Sequence, residues 1–264
     1  MPHIKTNSLN IFYREVGTGD PCLLLQGFTM DHRGWALQIP ALRDHCHCIS
    51  MDNRDVGQSD LATGPYSVSD MAADALGVLD ALGIGRTNLV GHSLGGAIAQ
   101  EIAIAHPQRV HRLVLISTYV TMGPLARAIF EARKLAKARL TSAEYYAATF
   151  PWTYSNADYA VPGQVEAILQ LAAANPNPQP YEAFCRQSDA VLSYNSSDRL
   201  GGITAPTLVL AGDADLSTDL AQSERLRDAI PNVRLQVIPG GGHGILWTQH
   251  ATQVNETIVA FLKG

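Results

Sequence analysis

The sequence has little cysteine, no long apolar run and no marked excess of either charge. Four cysteines in 264 residues are too few for a disulfide framework, so we expect them to be small buried side chains in a reduced protein. No apolar run reaches the roughly 18 residues that a membrane span needs. Residues 1–7 are polar and lack the apolar core of a signal peptide. A cytoplasmic protein is therefore predicted.

The charge balance narrows the class of partner. The net charge is −5, with acidic and basic residues mixed along the chain, which argues against nucleic acid and anionic membranes as partners. Residues 45–48 (HCHC) resemble a metal cluster in composition, but no second ligand pair follows at a zinc-like spacing. The sequence thus predicts no metal, no cofactor and a small-molecule partner, and it leaves the oligomeric state open.

Short apolar runs alternate with longer helical patterns, which is typical of a parallel sheet covered by helices. The predicted strands are residues 9–16, 22–26, 47–51, 88–92, 112–117, 206–211 and 233–238. The predicted helices between them are residues 68–82, 94–105, 219–229 and 247–262. Ser67 and Asp70 are expected to form a capping box at the start of the first of these helices. The predicted fold class is α/β, with a mostly parallel central sheet flanked by helices.

Residues 120–200 interrupt this alternation. They contain no strong strand pattern, and their helical patterns cover residues 126–139, 142–148, 163–173 and 181–192. We therefore expect a core of residues 1–119 and 201–264, and a helical cap of residues 120–200 inserted between two strands. The basic residues of the helix 126–139 are expected to form a solvated face. A lid that faces a membrane or an anion is the alternative.

The candidate nucleophile is Ser93, in the sequence Gly-His-Ser-Leu-Gly at residues 91–95. A predicted strand precedes it and a predicted helix follows it. Glycines two residues before and after the serine permit a sharp turn in which strand and helix backbones approach closely. The serine then projects from the carboxyl end of the sheet, in front of the positive end of the helix dipole. An ordinary glycine-rich turn is the alternative.

His243 is the expected general base among nine histidines. A serine hydroxyl is a poor nucleophile unless a base such as imidazole removes its proton. His243 lies in the glycine-rich segment 240–244, directly after the last predicted strand, where a flexible loop can reach Ser93. His92 is next to Ser93 in sequence, but we expect it to point to the opposite side of the strand end.

Two aspartates, Asp213 and Asp215, follow the predicted strand 206–211 and are candidates for the acid of the triad, with the more distant Asp219 as a third. This acid fixes the imidazole tautomer and stabilises its positive charge. We favour Asp215, because a residue a short distance past the strand end can fold back under His243. Asp213 suits a role in the turn, bonding to backbone N–H groups. Residues 117–121, after the preceding strand, contain no carboxylate, so the chain order is Ser, Asp, His.

Acyl transfer also needs two donors directed at the carbonyl oxygen as it becomes negative. One is expected to be the backbone N–H of Leu94, the residue after the nucleophile. The other is expected to be the backbone N–H of Phe28, in the loop of residues 26–29, where Gly27 lets the backbone turn towards the site. A simple tight turn in this loop is the alternative.

With these residues assembled, the chain resembles the α/β-hydrolase family, in its serine hydrolase branch, along nearly its full length. The resemblance is carried by the blocks QGFTMDHRGW (26–35), DNRDVGQSD (52–60), GHSLGG (91–96), GDAD (212–215) and GGGHG (240–244). Gln26 stands where the family more often has histidine, and Asp55 where it more often has glycine. The glutamine implies different hydrogen bonding behind the oxyanion loop, not the loss of the hole itself.

Within the family, residues 64–84 and the turn at Ser93 look like the enol-lactonases of aromatic-acid breakdown and related carboxylesterases. The family implies that the cap covers the site. Trp152, Tyr154 and Gly27 are then candidates to contact substrate, with plain cap packing as the alternative for the two aromatic residues. Arg33 and Arg186 are candidates to bind a substrate carboxylate, and surface positions or structural ion pairs are the alternative.

The predicted reaction is hydrolysis of a carboxylic ester or lactone through an acyl-serine on Ser93. Carbon–carbon bond hydrolysis, thioester hydrolysis and cofactor-free peracid formation use the same triad and stay open. A lipase acting at membranes is a further alternative. A non-catalytic ligand receptor on the same fold is a rival of another class, against which the intact Ser93, His243 and Asp215 argue.

Overall fold

The computed structural model describes residues 2–264, and one eight-stranded sheet forms their centre. Its strands are β1 (His3–Thr6), β2 (Leu9–Val16), β3 (Asp20–Leu25), β4 (Cys46–Met51), β5 (Thr87–His92), β6 (Val110–Ile116), β7 (Thr207–Gly212) and β8 (Val233–Ile238). The order across the sheet is β1-β2-β4-β3-β5-β6-β7-β8. The β1–β2 and β2–β4 pairs are antiparallel, and the remaining pairs are parallel.

Helices connect the parallel strands and cover both faces of the sheet. They are α1 (Ile39–Leu42), α2 (Val68–Ala81), α3 (Leu94–Ala105), α4 (Pro124–Lys137), α5 (Ser142–Thr149), α6 (Asn156–Tyr159), α7 (Gln164–Ala173), α8 (Tyr181–Ser193), α9 (Leu220–Ala229) and α10 (Ala251–Lys263). Single turns of 3₁₀ helix lie at His32–Trp35, Pro107–Arg109, Phe150–Trp152 and Leu200–Gly202. The α/β class predicted from the sequence is confirmed.

The sheet separates two apolar layers. Helices α2, α3 and α9 pack on one face, and α1 and α10 pack on the other. In β3, Leu23 and Leu25 belong to the first layer while Cys22 and Leu24 belong to the second, as the alternation of side chains along a strand requires. Because both faces of β3 are covered, its apolar run is continuous, as expected for a central parallel strand.

The seven predicted strands all form, and α3 has the bounds that the sequence predicted. The capping box of Ser67 and Asp70 is also confirmed. Strand β1 was not predicted from the sequence; it is a short edge strand in which no residue is fully buried. The last helix begins at Ala251 rather than at residue 247.

Residues 117–206, between β6 and β7, form the insertion. Helices α4 to α8 lie in it, and an isolated bridge between Thr121 and Asn195 is its β pairing within the described chain. Its division from the core at residues 120 and 200 stays a prediction.

The cysteines are free thiols, and Cys22, Cys46 and Cys48 are buried. In the run at residues 45–48 the strand places alternate side chains on opposite faces. His47 pairs there with Glu15 at 2.9 Å, away from the two cysteines beside it in the sequence. Among residues 2–264, no helix combines the length and the apolar character needed to cross a membrane.

The contact between α3 and β3 leaves no room for a side chain at Gly95. A Cβ atom placed there would overlap the carbonyl oxygen of Leu25. We expect Gly95→Ala to lower the free energy of unfolding by about 1–3 kcal/mol or more, because backbone must move to relieve the overlap. Urea denaturation measures this. Gly85→Ala is the matched control, since a Cβ at Gly85 meets nothing within 4 Å; equal effects of the two substitutions would contradict the prediction.

Candidate active site

Ser93 lies in a strained turn between β5 and α3. Its backbone has φ 53° and ψ −118°, a region that costs a non-glycine residue on the order of 1–3 kcal/mol. Two hydrogen bonds hold the turn: Ser93 N donates to the carbonyl of Ile116 at 2.8 Å, and Thr118 Oγ1 donates to the carbonyl of Ser93 at 2.7 Å. The side chain is thereby held at the carboxyl end of the sheet.

The two glycines that the sequence placed around Ser93 serve the close approach of backbones. A Cβ on Gly91 would overlap the carbonyl of Gly95. Gly91 therefore allows β5 to contact α3, and Gly95 allows α3 to contact β3. Both contacts are needed for α3 to begin directly behind the serine.

The structure brings Ser93, His243 and Asp215 together. Ser93 Oγ lies 3.0 Å from His243 Nε2, and His243 Nδ1 lies 2.8 Å from Asp215 Oδ2. All three residues are buried, so water screens their interactions little. With Nδ1 donating to the carboxylate, Nε2 is left as the acceptor for the serine hydroxyl.

Asp215 is held by more than His243. Its Oδ1 accepts from the backbone N–H groups of Ser217 and Thr218, at 2.8 and 2.9 Å. Thr218 Oγ1 donates to Oδ2 at 2.8 Å. These donors compensate a buried negative charge and fix the carboxylate under the imidazole. Thr218 was not singled out from the sequence, because nothing in the composition of this loop marks it.

Asp213 does not approach His243 and has a different task. Its Oδ1 accepts from the backbone N–H of Gly240 at 2.7 Å. This bond ties the loop after β7 to the start of the loop that carries His243. Asp215 thus contacts His243, whereas Asp213 contacts a backbone N–H.

The expected oxyanion donors lie beside Ser93. A Cβ on Gly27 would stand 3.1 Å from Ser93 Cβ, so the loop of residues 26–29, the oxyanion loop, contacts the serine directly. Within residues 2–264 the structure records no acceptor for the N–H of Phe28. Leu94 is the first residue of α3, where an N–H has no partner inside the helix.

Gln26 holds the oxyanion loop from behind. Its Oε1 accepts from the N–H of Gly27 at 3.1 Å, and its backbone carbonyl accepts from Asn53 Nδ2 at 3.2 Å. Its amide packs so closely on Gly34 that a Cβ there would meet Gln26 Nε2 at 2.6 Å. Gln26, which stands where the family more often has histidine, thus makes a hydrogen bond to the next residue of the loop.

Helix α8 of the insertion holds the same loop from the other side. Gln187 Oε1 accepts from the N–H of Thr29 at 2.8 Å. The ring of Phe28 packs edge-on against Phe184 of α8 and Phe130 of α4, with centroids 4.8 and 5.0 Å apart. The backbone that carries the Phe28 N–H is therefore fixed by residues about 100 to 160 positions away in the chain.

Arg186 ties α8 to the core through Asp55. Its Nε and Nη2 atoms lie 3.0 and 2.8 Å from the two carboxylate oxygens of Asp55, which is fully buried. Asp55 has φ 68°, which explains why glycine is common at this position in the family. Aspartate tolerates this conformation better than most residues, and here its side chain adds a bidentate ion pair to the insertion.

Arg33 is also paired, with Asp31, and its guanidinium also donates to Asn175. Of the alternatives left open for Arg33 and Arg186, the structure shows intramolecular ion pairs for both. A substrate carboxylate would have to displace an existing partner in either case.

Trp152 and Tyr154 lie on the side of the site formed by the insertion. The carbonyl of Trp152 accepts from Ser217 Oγ at 2.9 Å. Ser217 lies two residues after Asp215 in the chain. The buried ring of Tyr154 lies against Gly244, the residue after His243, and packs on Phe150 with centroids 4.8 Å apart. Tyr154 thus has packing partners of its own, and substrate contact by either residue stays a prediction.

His92 supports the loop of the base rather than the serine. Its Nε2 lies 3.2 Å from the carbonyl oxygen of His243, and its ring packs against Trp247 with centroids 5.0 Å apart. Burial, together with the neighbouring His243, lowers the pKa of His92 to about 3. The ring is therefore neutral at ordinary pH and donates from Nε2 to that carbonyl.

One group among the described residues has the spacing of metal ligands: Asp31, His32 and Asp52. Asp52 already accepts from the N–H and Nδ1 of His32, at 2.7 and 2.8 Å, and from the N–H of Gln58 at 2.9 Å. Asp31 is paired with Arg33. These hydrogen bonds and the ion pair explain why Asp31, His32 and Asp52 lie together: they hold the loops beside the site.

A mostly parallel eight-stranded sheet, with a serine on a strand-to-helix turn and a histidine after the last strand, is the architecture of α/β hydrolases. The family model described as alpha/beta hydrolase fold matches residues 20–249. The chain belongs to this family, as the resemblance of its sequence blocks predicted.

Three of the known proteins similar to this chain are hydrolases by name. A "putative carbamate hydrolase RutD" of Caulobacter segnis is 31% identical over 244 residues, covering 92% of this chain and 91% of the relative. The enol-lactonase of Burkholderia xenovorans has a structure with TM-score 0.89 at 26% identity, covering 100% of both chains. A thermophilic esterase of Thermogutta terrifontis has TM-score 0.86 at 26% identity, covering 99% of this chain and 97% of its own.

The pairing of Asp55 with Arg186 leads to a prediction on stability. Arg186→Met should lower the free energy of unfolding by about 1–3 kcal/mol, because a buried carboxylate loses its charged partner. Asp55→Gly should cost less, since glycine suits φ 68° and the arginine, which is partly exposed, can turn to water. Urea denaturation of both variants and of the double variant measures this. Adding Asp55→Gly to Arg186→Met should recover most of the free energy of unfolding that Arg186→Met loses alone. If the losses of the two single variants simply add in the double variant, the role given to Asp55 is contradicted.

The two aspartates give a matched pair of variants for the site. Asp215→Asn should slow the labelling of Ser93 by a serine-reactive phosphonate by roughly 10⁴-fold, because His243 loses the partner that fixes its tautomer. Asp213→Asn should change this rate far less, since Asp213 bonds to Gly240 and not to His243. Mass spectrometry of the adduct, in samples quenched at successive times, gives both rates. A larger effect at Asp213 would reverse the assignment.

Proposed function

We propose that this protein is a serine hydrolase that cleaves carboxylic esters or lactones through an acyl-serine intermediate. The observation that carries the proposal is the continuous contact from Asp215 Oδ2 through His243 to Ser93 Oγ, at 2.8 and 3.0 Å. The distances are those of a serine activated by a positioned base.

Each atom of this arrangement has a task in the proposed reaction. His243 Nε2 takes the proton as Ser93 Oγ attacks the carbonyl carbon, and the oxygen becomes negative. The N–H groups of Phe28 and Leu94 stabilise that oxyanion. Collapse gives an acyl-serine, with the proton passing from His243 to the departing alkoxide. A water molecule then attacks the acyl group by the same steps, and Ser93 is restored.

The insertion acts as a cap over this site in the proposal. Its α8 helix orients the oxyanion loop through Gln187 and Thr29, and its aromatic residues around Tyr154 adjoin the loop of His243. An apolar acyl group or ring would lie against these residues. The partner is a small molecule, and no step of the reaction uses a metal or an organic cofactor.

Similarity to an enol-lactonase and to an esterase supports an ester or lactone as substrate. The name of the Caulobacter relative adds a carbamate, whose carbonyl can be attacked in the same way. A carbamate therefore belongs in the substrate panel. Carbon–carbon bond hydrolysis and thioester hydrolysis remain alternatives on the same triad.

The test compares the native protein with Ser93→Ala on p-nitrophenyl esters, simple lactones, an enol-lactone and an aryl carbamate. We expect hydrolysis of an ester or lactone, and a loss of about 10⁴-fold or more in kcat for the variant, because removal of the nucleophile leaves only the oxyanion donors and substrate binding. Labelling by a serine-reactive phosphonate provides a readout that is independent of the substrate.

The outcomes separate the alternatives. If both proteins are inert but phosphonate labels Ser93, the triad stands and the substrate class is wrong. If folded protein is neither active nor labelled, the hydrolase proposal fails and a ligand receptor on the same fold takes its place.

A further inference from the structure

A cavity of about 220 Å³ lies at the amino ends of the central parallel strands. Strands β3, β4 and β5 contribute Asp20, Cys46 and Asn88 to its wall, and the end of α1 and the last turn of α10 complete it. A water molecule needs only about 10–15 Å³ of such space, so the cavity admits a small molecule. Asn88 and Ser93 are five positions apart, which is about 16 Å along a parallel strand. The cavity is therefore separate from the candidate active site.

Three buried thiols cluster at the wall of this cavity. The Sγ atom of Cys46 lies 3.7 Å from that of Cys48, and Cys22 is a second hydrogen-bonding neighbour of Cys46. The cluster follows from the strands, because Cys46 and Cys48 share one face of β4 and Cys22 of β3 pairs with Cys48 in register. Cys46 is the central member, and it is the one of the three that lines the cavity.

This arrangement favours a negative charge on Cys46 over one on its neighbours. When Cys46 ionises, the S–H groups of Cys22 and Cys48 can both donate to its sulfur, while one acceptor, the carbonyl of Leu42 at 3.3 Å, opposes the charge. The hydrogen bonds from the two thiols, aided by two nearby histidines, lower the pKa of Cys46 in spite of its burial. The hydrogen bond to Cys46 and burial raise the pKa of Cys22 and of Cys48. The nucleophilic thiolate form thus belongs to the cysteine of the cavity.

The other polar groups of the lining suit a reaction that releases a small anion. Lys263 and His45 are proton donors in the wall, and Asp20 is its one carboxylate. Asn88 is buried, and its Oδ1 lies 3.2 Å from His111 Nδ1. For Asn88 Nδ2 the structure records no acceptor within residues 2–264, so this N–H is available to a molecule in the cavity.

We propose that Cys46 is a peroxide-sensitive thiol, oxidised by hydrogen peroxide that enters this cavity. The thiolate sulfur attacks one oxygen of the peroxide. A sulfur–oxygen bond forms as the oxygen–oxygen bond breaks, and the sulfur loses two electrons. The second oxygen leaves as hydroxide and takes up a proton, which Lys263 or His45 can supply, so the products are a sulfenic acid on Cys46 and water. Asn88 Nδ2 can donate to the leaving oxygen.

The first test needs no variant. Native protein is treated with hydrogen peroxide at about pH 6.5, where an unperturbed thiol is almost wholly protonated. Catalase stops the reaction at successive times, the protein is denatured, and the remaining thiols are alkylated and quantified at each cysteine by tandem mass spectrometry. We expect Cys46 to lose its thiol about tenfold faster than Cys185, because the rate follows the thiolate fraction.

Exposure alone predicts the opposite order, since Cys185 is only partly buried whereas Cys46 is buried. Protein unfolded in urea before the peroxide is added provides the control, and the lead of Cys46 should disappear there. If Cys185 reacts first in folded protein, Cys46 is an ordinary buried side chain and the proposal fails.

A pair of variants tests the hydrogen bonding between the thiols. Cys48→Ala removes one donor to Cys46 and should slow its oxidation about threefold to tenfold. Cys48→Ser keeps an O–H donor at the same position and should retain most of the native rate. Circular dichroism and urea denaturation establish that both variants are folded. Identical rates in the native protein and both variants would overturn the sharing of charge on which the proposal depends.

A second pair tests access through the cavity. Val259→Phe enlarges a side chain of the lining and should slow the oxidation of Cys46 while leaving that of Cys185 unchanged. Ala260→Phe is the matched control, because Ala260 is the next residue of α10, is exposed and does not line the cavity. If folded Val259→Phe is oxidised at Cys46 as fast as Ala260→Phe, peroxide does not enter by this cavity and the proposed site is wrong.

Discussion

The close approach of α3 to β3 and β5 is the constraint on which the rest of the site depends. It requires glycine at positions 91 and 95, because a Cβ at either position would overlap a backbone carbonyl. Ser93, directly before the helix, has a positive φ, and its strain is offset by the hydrogen bond that its N–H donates to the carbonyl of Ile116 and by the one that its own carbonyl accepts from Thr118 Oγ1. The same geometry places the N–H of Leu94 beside the serine. The position of Ser93, the N–H of Leu94 and the N-terminus of α3 thus follow from one packing contact.

The sequence was sufficient for the features set by local rules. Continuous apolar runs predicted the central strands because a parallel sheet is buried on both faces, and glycine spacing predicted the turn at Ser93. Asp215 was separated from Asp213 by the number of residues past the strand end, and the structure places them accordingly. The short strand β1 was missed because Ile4 is its one apolar residue, which leaves no alternating apolar pattern to detect.

Contacts between distant parts of the chain could not be predicted in this way. The bond from Thr29 to Gln187 spans 158 positions and the ion pair of Asp55 with Arg186 spans 131; glutamine and arginine occur too commonly on helices to signal such partners.

Two departures from the family's usual residues have a common physical effect on the oxyanion loop. Gln26 replaces a histidine and bonds to the N–H of Gly27, so it holds the loop from the core. Asp55 replaces a glycine and holds α8 through Arg186, and α8 holds the loop through Gln187. In the reaction proposed above, an oxyanion donor must be fixed before charge develops in order to lower the barrier, and both contacts would preorganise the N–H of Phe28 for that task. Displacement of α8 would break the part-buried bond from the N–H of Thr29 to Gln187, at a net cost of about 0.5–1.5 kcal/mol. The insertion and the oxyanion loop are therefore coupled through this bond.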